Sequence, residues 1–327
     1  MRNRRHHQRG QVFAAGGRCH DIAVRARLYS TTVFAVLVVS LGGGCRMLPR
    51  NAMSERVVAA RQMTLRGTDA LQRGHWEEAE SIFASAIRQC PVDERARSGY
   101  AESLWQRGAC DTAIVEMEQA VKLSGGNHEL LVRLGEMRLA RGDRDGAAAC
   151  AEKALGAQRE LATAWALQGD VLRAQGKLDD ALASYHRALS CQAHQPRVQL
   201  AAAEIYRYQN RPQRALSTLE SLADNYGPGQ VPTEVLYLQG VAQKALRRYD
   251  DAVSSFAAAS KQGAATADVL CELAECQMLA GDLPAARLTA LEGLRREPQS
   301  EAFQRLVARL DSDQPRVASV QRASANN

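Results

Sequence analysis

Two histidines and a cysteine near residue 190 are the best candidates for chemistry in this chain of 327 residues. His186, Cys191 and His194 lie close together in sequence and carry the imidazole and thiolate groups that bind zinc. No second pair of ligands with matching spacing accompanies them. The sequence also lacks the H-E-x-x-H, G-x-S-x-G and Walker motifs. We therefore predict ordinary surface side chains here, with no catalytic residue, no metal site and no cofactor.

The cysteines offer a second kind of chemistry, a disulfide framework. Two of them, Cys271 and Cys276, are five residues apart, so on one helix they point to different faces. The other cysteines are unevenly placed along the chain, which does not indicate a regular set of disulfides. We predict isolated buried thiols at Cys90, Cys110, Cys150, Cys191, Cys271 and Cys276.

The first 44 residues have the pattern of an export signal. Residues 1–27 are rich in Arg and His, residues 33–39 are apolar throughout, and small residues precede Cys45. The ending resembles a bacterial lipoprotein signal, which implies lipid attachment at Cys45. An uncleaved signal anchor and a plain secretory signal are the alternatives. Each of these predicts a protein of the bacterial cell envelope that faces the periplasm or the exterior, and the first two predict a membrane anchor.

The positive charge of the chain is confined to this leader. The formal net charge is +6, and residues 1–30 contain seven arginines against the single acid Asp21. The remainder is therefore neutral, whereas a nucleic-acid-binding domain carries its basic surface on the folded part. The sequence predicts no nucleic-acid partner, and no small-molecule substrate is evident.

The rest of the sequence is organised by a repeat of 34 residues. Glycine recurs at this interval, with Asn210 in the fifth place, at Gly74, Gly108, Gly142 and Gly176. Alanine follows five residues later each time, at Ala79, Ala113, Ala147, Ala181 and Ala215. After a slip of three residues near Gly227, the series continues as Ala252 and Ala286. Glycine and Asn tolerate the left-handed backbone that ends a helix, so each repeat is predicted to be two helices joined by a tight turn.

Small and large side chains also recur in register. Upstream of each turn lies a small residue: Gly67, Ala101, Gly135, Gly169, Ala203, Gly240 and Ala274. Four residues past the alanine the side chain is often large: Phe83, Met117, Tyr185, Leu219 and Phe256. Small residues let two helix backbones approach closely, and the large side chains fill the next layer.

This pattern resembles the tetratricopeptide repeat, most fully in Trp165-Ala166-Leu167-Gln168-Gly169 followed by Ala181, Tyr185 and Ala188. The resemblance implies an all-α fold, a solenoid in which about seven helix-turn-helix repeats form a right-handed superhelix. The repeats are placed at 60–93, 94–127, 128–161, 162–195, 196–229, 233–266 and 267–300. Repeat five departs most from the pattern, and repeat six has Arg247 where the turn glycine belongs.

The remaining segments flank the array. Residues 1–44 form the leader, and 45–59 form a tether and the start of the first helix. Residues 301–311 are predicted to be a capping helix that covers the last repeat. Residues 312–327 are predicted to be a disordered tail.

The resemblance also implies a concave groove, lined by the first helix of each repeat, in which partners bind. We call the residue after each upstream small residue the groove slot. It holds Thr68, Glu102, Glu136, Asp170, Glu204, Val241 and Glu275. Five of these seven are acidic, which predicts a stripe that receives basic or polar partner groups. The alternative is that the acids are merely solvated and paired along their own helices.

Other groove candidates lie on the same helices. The i, i+3 spacing of Asp170 with Arg173, and of Glu204 with Arg207, would suit such local pairs. Aromatic residues that often anchor interfaces are Trp105, Tyr208 and Tyr237. A carboxylate-clamp variant of the family uses Lys and Asn in its groove slots. Repeats one and two have Thr64, Thr68, Ser98 and Glu102 at the matching places, so the acidic chain end taken by that variant is not expected.

These observations predict a non-catalytic scaffold, tethered to a membrane on the extracytoplasmic side, that binds a protein or peptide in its groove. One alternative is an envelope assembly factor resembling the pilus-biogenesis or outer-membrane-assembly lipoproteins with these repeats. Another is an accessory subunit of an envelope enzyme.

Overall fold

The computed structural model describes residues 50–262 and 266–324, with side chains over 54–262 and 266–312. The chain divides into two parts, Met1–Glu55 and Arg56–Asn327, and the helical repeats lie in the second. All the regular secondary structure of the described residues is helical, and no strand occurs among them. None of the helices in these ranges is both long enough and apolar enough to cross a membrane.

The described residues form fifteen helices in succession. Their bounds are α1 (Arg50–Gln72), α2 (Trp76–Gln89), α3 (Glu94–Gln106), α4 (Cys110–Leu123), α5 (His128–Ala140), α6 (Arg144–Ala157), α7 (Ala162–Ala174), α8 (Leu178–Cys191), α9 (Pro196–Tyr208), α10 (Pro212–Ala223), α11 (Thr233–Ala245), α12 (Tyr249–Gln262), α13 (Ala267–Ala280), α14 (Leu283–Arg296) and α15 (Glu301–Ser324).

The first fourteen helices form seven pairs, one in each of the seven predicted repeats. The two helices of each repeat pack together, and the second helix also packs against the first helix that follows it, so that the apolar face of each pair is covered by its neighbours. The last helix, α15, packs on α14 and α13 and buries Phe303, Leu306 and Leu310. It runs on to Ser324, so the prediction of a capping helix that stops at 311 and a disordered tail was wrong for residues 312–324. No glycine follows Asp311 in the sequence to end the helix there.

The turn within each pair has the predicted left-handed residue. Gly74, Gly108, Gly142 and Gly176 have φ between 77° and 84°, which confirms their role as helix ends. Asn210 takes the same conformation with φ 55°. Arg247 does so with φ 58°, although a side chain with a Cβ atom is strained in this region.

The two helices of a repeat meet at a small residue that faces a large one. A Cβ atom on Gly169 would lie 2.4 Å from Cε1 of Tyr185, and one on Gly240 would lie 2.7 Å from Cε1 of Phe256. Gly67 has the same relation to Phe83. The glycines therefore provide the space that the aromatic rings fill, as the sequence pattern predicts.

Candidate interaction groove

The first helices of the repeats lie next to one another along one side of the array. Helix α5 contacts α7, α9 contacts α11, and α11 contacts α13, in addition to the contacts within each pair. The groove slots are on these helices. We call the surface that the first helices form the inner groove.

In repeats two and three, the acids of the groove slots are held by one arginine. Both Arg133 Nε and Nη2 donate to Glu102, at 2.9 and 2.7 Å, and Nη1 donates to Glu136 at 3.1 Å. Burial alone would lower the pKa of Arg133, but the hydrogen bonds and charges of these two acids outweigh it, and the pKa is raised. The guanidinium also lies over the Trp105 ring, 6.0 Å from its centre.

Among the acids in the groove slots, Asp170 of repeat four is the most buried, with 12% of its side chain exposed. Its Oδ2 accepts a hydrogen bond of 2.7 Å from Arg197 of repeat five, which also lies 3.6 Å from Glu136. Its Oδ1 accepts a hydrogen bond of 2.7 Å from the hydroxyl of Tyr185. Burial and the nearby Asp170 charge raise the pKa of Tyr185, so that this hydroxyl stays protonated and donates.

Two further pairs join successive repeats. Arg173 of repeat four reaches Glu204 of repeat five, with 3.2 Å between Nη1 and Oε2. Lys244 of repeat six lies 2.7 Å from Glu272 and 2.6 Å from Glu275, both in repeat seven. The partners of Asp170 and Glu204 thus come from other repeats, and neither the predicted pair of Asp170 with Arg173 nor that of Glu204 with Arg207 forms.

The acids of the groove slots therefore do not form a free acidic stripe. Each of the five takes part in an ion pair with a basic residue of another repeat. Most of these side chains are still partly exposed, so each pair contributes little to stability on its own. The groove instead offers an alternation of acidic and basic groups, which suits a partner with both polar and charged side chains.

One part of the inner groove is a cleft of about 790 Å³. Helices α5, α7 and α9 supply most of its lining, and Glu234 at the start of α11 also lines it. Leu139, Ala174 and Leu200 make its lining partly apolar, while Arg173, Arg197 and the acids paired with them supply charged groups. An open cleft with these groups can take an extended polypeptide, whose main chain and side chains both need polar partners.

The predicted aromatic residues take different places. Tyr208 is 78% exposed at the end of α9, whereas Tyr237 packs its ring against Phe256, with 5.8 Å between ring centres. Burial raises the pKa of Tyr237, and the negative charges of Glu272 and Asp268 raise it further. Arg207 is exposed and forms no ion pair among the described residues.

The histidines and cysteines of the described residues form neither a metal site nor a disulfide. His186 makes a hydrogen bond of 2.8 Å to the Tyr206 hydroxyl, and no cluster of metal-binding side chains occurs in the described ranges. The six described cysteines are free thiols, of which Cys150 and Cys276 are buried. The prediction of buried thiols was wrong for the other four, because Cys191 is exposed at the end of α8 and three are only half-buried: Cys90, Cys110 and Cys271. The prediction of a surface side chain at Cys191 is confirmed. Cys45, the predicted lipidation site, lies outside the described residues.

Comparison with known proteins agrees with this architecture. Models of the tetratricopeptide repeat match residues 64–128, 132–197, 197–227 and 244–310, which together make up most of the chain. The chain therefore belongs to the tetratricopeptide-repeat family. No curated protein shows significant sequence similarity to it.

Three solved structures of similar fold are distant in sequence. PilF from Pseudomonas aeruginosa is 18% identical, with a TM-score of 0.57 over 78% of this chain and 99% of that one. A tetratricopeptide repeat protein from Parabacteroides merdae is 12% identical, with a TM-score of 0.53 over 77% and 98%. YrrB, described as having an unusual peptide-binding site, is 17% identical, with a TM-score of 0.52 over 58% and 96%. At these identities, the likeness shows the fold alone.

Proposed function

We propose that this protein is a non-catalytic scaffold that binds an extended segment of a partner protein in its inner groove. The observation that carries the proposal is the cleft of about 790 Å³ on the first helices of repeats three to five, whose lining combines acidic, basic and apolar residues. YrrB, a protein of the same fold, is described as having a peptide-binding site, which is compatible with this use of the fold.

The test compares two tryptophan substitutions at exposed alanines. Ala174 lines the cleft, and Ala183 is exposed on the second helix of the same repeat. The wild type, Ala174→Trp and Ala183→Trp are each used as bait in detergent extracts of the host envelope, and captured proteins are quantified by mass spectrometry. We expect at least one protein that the wild type and Ala183→Trp capture equally to be depleted about tenfold with Ala174→Trp. Equal capture by all three would refute binding in the cleft.

We further propose that the scaffold is tethered to a bacterial membrane through Cys45 and faces the periplasm or the exterior. The support is the sequence of the leader, in which an apolar segment and three glycines precede this cysteine. Metabolic labelling with a fatty acid tests the proposal. The wild type should incorporate the label and Cys45→Ser should not, and equal label in both would contradict lipidation at Cys45.

The identity of the captured protein separates this proposal from its two more specific forms. A structural component of an envelope machine would indicate an assembly factor. An enzyme whose activity changes on binding would indicate an accessory subunit.

A further inference from the structure

Three repeats have a basic residue at the same place, and one of the three lacks the ion pair to the next repeat that the other two form. Repeats four, five and six each have a basic residue three places after the groove slot: Arg173, Arg207 and Lys244. Arg173 pairs with Glu204, the groove slot of the next repeat, and Lys244 pairs with Glu275, which is likewise the groove slot of the next repeat. The corresponding partner of Arg207 would be the residue at position 241. That residue is Val241, so the guanidinium of Arg207 has no acid there.

The same junction contains a gap in the packing. In repeats one, four and six, an aromatic ring fills the space opposite a glycine, but repeat five places Leu219 opposite Ala203. A pocket of about 40 Å³ remains between α9, α10 and α11. Leu219, Leu238 and Ala242 give it apolar walls, and both Arg207 and Val241 line it. A pocket of this size admits the end of a small aliphatic side chain.

The unpaired charge and the pocket therefore lie together. Arg207 is exposed, so it is solvated in the free protein and is available to a partner. A guanidinium donates two parallel hydrogen bonds to a carboxylate, and the apolar walls favour an aliphatic side chain next to it. Beside Arg207, the ring of Tyr208 is 78% exposed and adds contact area of the kind that anchors interfaces.

We infer that the junction of repeats five and six is a specificity site of the inner groove, which takes an acidic residue adjacent to a small aliphatic residue in a partner's extended segment. The inference rests on the proposed function, because it assumes that a polypeptide lies in the groove. First helices continue on both sides of the junction, so the segment passes through it and the carboxylate comes from Asp or Glu rather than from a chain end.

The experiment selects peptides from a random library, so the natural partner need not be identified first. Random dodecapeptides displayed on phage are panned against the purified full chain, and the enriched peptides are synthesised with a fluorescent label and an amidated C-terminus. Amidation leaves side chains as the only source of carboxylates. Binding is measured by fluorescence anisotropy against the wild type, Arg207→Ala, Val241→Glu and the control Lys261→Ala, which removes an exposed charge on α12.

Val241→Glu is the decisive variant. It supplies the acid that repeats five and seven have in their groove slots, so Arg207 would pair within the protein and be withdrawn from the ligand. We expect the enriched peptides to contain Asp or Glu next to Val, Leu or Ile. Their affinity should fall about tenfold or more with Arg207→Ala and with Val241→Glu, and should be unchanged with Lys261→Ala. Circular dichroism of each variant should match the wild type.

The two proposals fail in different ways. Peptides that lose binding with Ala174→Trp but bind Arg207→Ala as tightly as the wild type would overturn the specificity site and leave the groove as the binding surface. Enrichment of basic or uncharged motifs would also overturn it. If no peptide is enriched above background, binding of extended segments itself, and with it this site, is refuted.

Discussion

The buried hydroxyl of Tyr185 donates a hydrogen bond of 2.7 Å to Oδ1 of Asp170, so one groove slot is connected directly to the packing core of its repeat. Tyr185 is fully buried between the two helices of repeat four. Asp170 also accepts from Arg197 of the next repeat. This acid therefore contributes to both the stability of the repeat and the charge of the groove.

Separate substitutions of Asp170 and Glu204 should show which of these groove acids is important for stability. Asp170→Ala leaves a buried hydroxyl without its acceptor, and we expect it to lower the free energy of unfolding by about 1–3 kcal/mol. Glu204→Ala removes an acid that is 42% exposed and should cost less than about 1 kcal/mol. Urea unfolding followed by circular dichroism measures both. Equal losses would show that the Tyr185 hydrogen bond is not important for stability.

The close approach at Gly169 gives a second prediction. A methyl group there would lie 2.4 Å from the Tyr185 ring, which is fully buried. Gly169→Ala should therefore destabilise the protein by about 1–3 kcal/mol. Gly156 is the matched control, since it is also helical and a Cβ atom there meets nothing within 4 Å. Gly156→Ala should be neutral or stabilising, because alanine is the better helix former. A similar loss in both variants would contradict the proposed packing.

The fold was predictable from the sequence because each repeat needs the same type of residue, small, large or turn-forming, at the same position. Left-handed turns favour Gly or Asn, and Gly169 and Tyr185 have complementary sizes, so residue types that recur at fixed positions indicate the backbone geometry. The pairing of the groove acids could not be predicted in this way. Arg133, Arg173 and Arg197 occupy three different places in their repeats, and which acid each one reaches depends on how successive repeats are rotated. The site proposed at the junction of repeats five and six was indicated in the sequence only by the departure of repeat five from the repeat pattern.

Arg247 offers a test of the turn geometry. It is exposed and takes φ 58°, a conformation that costs an L-residue roughly 1–2 kcal/mol. Arg247→Gly should remove that strain and raise the free energy of unfolding by about 1 kcal/mol. Gly142→Ala makes the opposite change at the same place in repeat three, where φ is 84°, and should lower it. No gain with Arg247→Gly would mean that residue 247 is not held in the left-handed region.

The thiols give a prediction on pH. Burial raises the pKa of Cys276 from 9.0 to about 11. Because of the raised pKa, the thiol keeps its proton in the folded state at a pH where it loses it in the unfolded state. The contribution of the buried thiol to the free energy of unfolding is therefore complete below pH 9 and is lost as the pH rises through 11. The free energy of unfolding should therefore fall more steeply between pH 9 and 11 for the wild type than for Cys276→Ala. Parallel curves would contradict burial of this thiol. As a check, Ellman's reagent at pH ~8 should modify exposed Cys191 quickly and Cys276 slowly.

The central claim is that the partner lies in the inner groove, and site-specific photo-crosslinking in the living host tests it most directly. Benzoylphenylalanine is introduced at Ala174 in the cleft or at Ala183 on α8, and crosslinked products are resolved by electrophoresis and identified by mass spectrometry. We predict a discrete protein adduct at position 174 that is at least about tenfold weaker at position 183, as the difference between contact and no contact requires. An adduct of equal intensity at both positions, or one confined to position 183, would contradict the account.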